Sequence, residues 1–149
     1  MSTPNLITLS DPTTIECDIS DLPSILKENV RIHMTDEDLL YLCLVTKFLD
    51  SLEVQVVTSK RVILVHGRIH KKEIEHSKDT VFGGAAEKDD SLLLHDFNGL
   101  QHWENVSSNY CLGVCGTTRQ IDFRFFSKEL FTKFTETLLR VANNAYKSG

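Results

Sequence analysis

Leu52-Glu53-Val54-Gln55-Val56-Val57-Thr58-Ser59-Lys60-Arg61-Val62-Ile63-Leu64-Val65-His66-Gly67 is the stretch on which the fold turns. Leu52, Val54 and Val56 alternate with Glu53 and Gln55, the two-residue period of a half-buried strand. Thr58-Ser59-Lys60 turns the chain, and Arg61 opens a second strand whose Val62-Ile63-Leu64-Val65 core is apolar on both faces, as in a well-covered strand. This is a β-hairpin. With a second hairpin downstream and one long helix after it, the pattern predicts a small α+β, strand-rich domain closed by a helix.

Upstream, Tyr41 to Phe48 reads as the strand feeding the hairpin, with Asp50-Ser51 as the turn between them. A helix competes for the same residues, because Thr35-Asp36-Glu37-Asp38 has the spacing of a capping box and the apolar run is too short for periodicity to decide. Asp21 to Asn29, with Pro23 near its start, carries the signals of a short helix. Residues 1–20, with Pro4, Pro12 and many Ser and Thr, read as an irregular arm ahead of a domain over 21–149. Downstream, Gly83 to Asp90 has the composition of a surface loop.

The second hairpin places Tyr110, Leu112 and Val114 on one face, and Cys111, Gly113 and Cys115 on the other. Gly116-Thr117-Thr118 turns into Ile121, Phe123 and Phe125, which alternate with Asp122 and Arg124. Ser127 then caps a helix whose Phe131, Phe134, Leu138, Val141 or Ala142, and Ala145 recur at steps of three and four. Burying three such large side chains is worth ~5–9 kcal/mol before entropy is counted.

The 149 residues are one domain's length, and 41% apolar with 25% charged is ordinary globular composition. No apolar run approaches the ~20 residues of a membrane-spanning helix, and the start of the chain shows no export signal, so the expected location is cytoplasmic. A net charge of −5 speaks against a dedicated nucleic-acid binder. Cys17, Cys43, Cys111 and Cys115 form no CxxC pair and read as free thiols.

Val57-Thr58-Ser59-Lys60-Arg61-Val62-Ile63-Leu64-Val65 resembles the "v-T-x-x-R-l-i-l-v" hairpin of pleckstrin-homology-like domains, in particular the bacterial PH and GRAM-type domains. Ile121-Asp122-Phe123-Arg124-Phe125-Phe126-Ser127-Lys128-Glu129 is similar to their last strand running into the C-terminal helix. The resemblance spans about residues 39–146. It implies a bent antiparallel sandwich or barrel of about seven strands plugged by the helix. It also implies a domain that binds lipid headgroups, peptides or proteins, whose bacterial versions sometimes self-assemble, and for which catalysis is not usual. In phosphoinositide-binding members, basic residues cluster around the loop joining the first two strands. Here that loop, Leu49-Asp50-Ser51-Leu52-Glu53, is acidic, which disfavours a membrane headgroup.

The expected function is therefore a non-catalytic recognition or assembly module. Its partner is a protein or peptide, or a further copy of the chain through a sheet edge. The expected binding surface is Trp103 with His102, together with Arg68, His70, Lys71 and Lys72. One alternative is a peripheral phosphate or lipid-headgroup binder using Lys60, Arg61, Arg68, Lys71 and Lys72. Another is a small metal-dependent or acid–base enzyme around His95, Asp96 and His102. Against the enzyme, no GxSxG, HExxH, P-loop or GxGxxG occurs, and none of the His and Cys spacings fits structural zinc. Turn chemistry alone accounts for Asp96-Phe97-Asn98-Gly99, with Trp103 as an anchor beside it. No metal or cofactor is implied.

Overall fold

In a computed structural model that describes residues 12–48, 51–69, 82–84, 89–104 and 109–148, the decisive hairpin is the centre of a six-stranded antiparallel sheet. Its strands are β1 (Thr13–Glu16), β2 (Leu40–Lys47), β3 (Ser51–Thr58), β4 (Arg61–Ile69), β5 (Phe82–Gly84) and β6 (Asp90–Leu93). They pair in the order β1-β2-β3-β4, with β6 on the first half of β4 and β5 on its end. A second sheet, β7 (Phe97–Glu104), β8 (Tyr110–Gly116) and β9 (Gln120–Phe125), pairs in chain order. Helix α1 (Ser24–Ile32) precedes β2, and helix α2 (Lys128–Ser148) follows β9. The architecture is α+β, as expected, and of the sandwich and barrel expected it is two sheets, with no closed barrel among the described residues.

The core lies between the sheets. Leu42, Leu44, Val57, Val62 and Leu64 of the first sheet meet Leu112, Val114, Ile121, Phe123 and Phe125 of the second. Phe134, Leu138, Val141 and Ala142 of α2 plug the end, so the helix stripe falls where its spacing predicts. The Ser127 hydroxyl accepts the Leu130 N–H at 3.2 Å and caps the helix.

A second core lies on the outer face of the first sheet. There Leu22, Leu26 and Val30 of α1 and its approach cover Cys43, Val45, Leu52, Val54, Val56, Ile63 and Val65. Gly67 lets α1 in: a Cβ there would stand 2.7 Å from Leu26 Cδ2. This second layer explains why Val62 to Val65 are apolar on both faces.

Several expectations are corrected, and one open choice is resolved. The alternation in β3 is as expected, but its polar row does not face water. Glu53 and Gln55 are buried against the second sheet, where Gln55 Nε2 donates to the Arg124 carbonyl at 2.7 Å and Arg124 Nη2 meets Glu53 at 3.2 Å. Between the two readings of the residues before the hairpin, the favoured strand is the one formed: Thr35 and Asp38 bond at 3.1 Å, but they close a turn that leads into β2 and not into the competing helix. Asp96-Phe97-Asn98-Gly99 is not one turn. A 3-10 turn ends at Asp96, and β7 runs on through a bulge between Phe97 and Gly99, where Gly99 adopts φ 156°. The Gly83–Asp90 stretch is not all loop either, since Gly83 and Gly84 belong to β5 and Asp90 opens β6. Within the stretch read as an arm, Thr13–Glu16 form β1, whereas residues 1–11 lie outside the described residues.

Candidate functional site

β7 pairs only with β8 among the described residues, so its other edge presents backbone donors and acceptors that no described strand takes up. At eight residues it is a long edge. Cross-strand register decides which way its side chains point. His102 is opposite Leu112, on the face turned toward α2, and is exposed, its ring 6.5 Å from that of Phe131. Trp103 is opposite Cys111 on the outer face and is 40% exposed. The two neighbours in sequence thus serve opposite faces of one edge strand. At the start of β7, Leu94, Phe97, Leu139 and Ala142 line a groove of about 390 Å³ against α2.

Of the other predicted site residues, the described ones do not gather there. Arg68 is exposed on β4, in the other sheet, and His70, Lys71 and Lys72 lie outside the described residues. His95, Asp96 and His102 do not form one acid–base centre. Asp96 is taken up by the Thr117 hydroxyl, and His102 lies against Phe131. His95 instead lines a separate groove with Tyr41 and Arg140. Among the described residues no group of three or more His, Cys, Asp or Glu side chains is arranged to hold a metal ion.

Adjacent in sequence, Lys60 and Arg61 have different roles. Arg61 is committed to the buried Asp38, with Nε to Oδ2 at 2.7 Å and Nη2 to Oδ1 at 3.3 Å. Thr58 donates its hydroxyl to Asp38 and accepts the N–H groups of Lys60 and Arg61 at 3.1 and 3.0 Å. The Thr-x-x-Arg spacing is therefore a turn lock, and Arg61 is not spare for a phosphate. Lys60 is exposed and bonds Glu37 at 2.8 Å, which holds the Glu37 carboxyl below the usual carboxylate range. The sign follows: any help from this pair is present at neutral pH and is lost as pH falls through the lowered value, and exposure to solvent screens it.

Two thiols are held protonated. Contact with the Cys17 sulfur at 4.0 Å, then burial, raises the Cys43 value, and burial raises that of Cys111. Since the thiolate is the reactive form, Cys43 and Cys111 should resist iodoacetamide in the folded protein while Cys17 and Cys115 react first. Peptide mass mapping after a timed alkylation checks this. Rapid native labelling of Cys43 would mean that β2 opens.

No family model matches the chain, and no curated protein matches it. A solved structure does: a DUF1696 family protein with a pleckstrin-homology domain from Shewanella loihica PV-4, determined at 2.00 Å. The two are 13% identical, the match covers 87% of this chain and 97% of that one, and the TM-score is 0.51. The fold is thus pleckstrin-homology-like. No helix among the described residues is long and apolar enough to cross a membrane.

Proposed function

We propose that the chain is a non-catalytic recognition module that takes an extended segment of a protein partner onto the free edge of β7. The observation that carries this reading is the eight-residue edge of β7, which among the described residues pairs on one side only, with Trp103 exposed upon it. Main-chain bonds to such an edge supply affinity, and pockets beside it supply selectivity. The groove at Leu94, Phe97, Leu139 and Ala142 is such a pocket, and Trp103 is the type of side chain that dominates interfaces.

Affinity capture with the wild-type chain and with Trp103→Glu as paired baits tests the reading. A partner held by the first and lost by the second supports it, with a weakening of ~30-fold or more expected for an interface anchor. The same partners on both baits would overturn it. Sedimentation equilibrium of the purified chain decides whether a further copy can fill the role. If copies pair here, amide exchange in β7 slows as concentration rises.

A further inference from the structure

A second groove, of about 610 Å³, lies where the start of β2, the β3–β4 turn, the end of β6 and the C-terminal half of α2 converge. No residue of β7 lines it, so it is distinct from the edge described above. Its size falls within the ~300–1,000 Å³ typical of small-molecule sites.

The walls are apolar and unusually bare. Tyr41 is 51% and Leu93 47% exposed. Tyr41 sits at the irregularity between Leu40 and Leu42, with no partner across on β3, so the bulge frees it from the sheet pattern. Leu39, 63% exposed, is tied to the rim at Ser59, whose N–H donates to the Leu39 carbonyl at 2.7 Å and whose hydroxyl accepts the Leu39 N–H at 2.9 Å. Val141, buried, closes the floor from α2. Apolar side chains left at water around one concavity mark a binding site more than scattered ones do.

The charge is one-sided. The chain carries −5 overall, yet among the described residues the lining holds Lys60 and Arg140 and no carboxylate. Lys60 is already engaged by Glu37 from the rim. The Arg140 side chain has no hydrogen bond or ion pair among the described residues, and that of His95, which lines the same groove, has none either. The negative end of the α2 dipole, at Ser148, is more than a turn beyond Arg140, so it does not cancel that charge. The opposite wall is preset, because Ser59 and Lys60 stand on the turn locked by Asp38, Thr58 and Arg61.

We infer that this groove binds a small amphipathic anion, its carboxylate or phosphate head on Arg140 and its apolar body along Tyr41, Leu93 and Val141. His95 and Lys60 offer further donors to the head.

Amide NMR spectra of the full chain, titrated with dodecanoate, dodecyl phosphate and dodecyltrimethylammonium below their micelle concentrations, test this. Both anions should shift the amides of Tyr41, Ser59, Lys60, Leu93 and His95 and leave those of β7 in place, while the cation should not. The stronger of the two anions identifies the head. Arg140→Gln, an exposed change with an unaltered melting curve, should weaken the anions tenfold or more. Arg140→Lys should restore much of the loss, and Leu93→Asn should weaken anions of long chain more than short ones. Equal shifts with the cation, shifts centred elsewhere, or full binding by Arg140→Gln would overturn the inference. So would binding to phosphatidylserine vesicles without binding to either monomeric anion, which would mean a membrane surface and not a free ligand.

Discussion

Replacing Phe134 with Ala should cost about 3–5 kcal/mol of folding stability. Phe134 is fully buried, and its ring lies 5.0 Å from that of Phe123 and 5.1 Å from that of Phe125. It is the point at which α2 enters the space between the sheets, so the truncation removes both transferred area and the contacts lining the hole. Domains of this kind have only ~5–15 kcal/mol in total, so the variant should be partly unfolded at modest denaturant. Urea titration should show a lower midpoint with the slope unchanged. Phe131→Ala is the internal comparison. Its ring stacks on Tyr110 at 5.6 Å and meets Phe125 at 5.9 Å, but it is only partly buried, so the loss should be smaller. Equal losses at 131 and 134 would mean that α2 is seated one face around from the arrangement described.

That prediction rests on a part of the fold that was legible from sequence, and the reason is local. The α2 stripe and the alternation of Ile121, Phe123 and Phe125 are each written within one element, and each element has one wet face. β3 is the contrary case. Its period was legible, but which row met water was not, because the burial of Gln55 and Glu53 depends on Arg124, 69 and 71 residues away. The apolar row is covered by α1, which local pattern marks as a helix but cannot dock.

The candidate sites fall on the same divide. An exposed Trp103 can be suspected from composition, but whether its strand is an edge depends on sheet order. The β7 groove needs Phe97 beside Leu139. The amphipathic groove draws on residues from Tyr41 to Arg140, and its clearest sequence sign was only that Lys60 stands at a turn. Asn98-Gly99 shows the converse error. Local turn chemistry was strong there, and pairing with β8 overrode it at the cost of a bulge.

Arg61→Ala should be as damaging as any core truncation, again about 3–5 kcal/mol, although the residue looks like a surface cation in sequence. The cause is the group left behind. The Asp38 side chain is fully buried, and Arg61 is the cation that meets it. Thr35 and Thr58 each donate one hydroxyl to Asp38, which cannot replace a charged, two-point partner. Arg61→Lys should recover only part of the stability, because an ammonium cannot span both carboxylate oxygens. Asp38→Ala combined with Arg61→Ala should cost less than the two single losses added, since the double variant strands no charge. A loss below about 1 kcal/mol for Arg61→Ala, the range of solvated surface pairs, would show that water reaches Asp38 and that the turn is held by Thr58 alone. The same variant couples stability to binding. Ser59 and Lys60 ride on this turn and form one wall of the amphipathic groove, so unlocking it should weaken dodecanoate binding even under conditions where the chain remains folded.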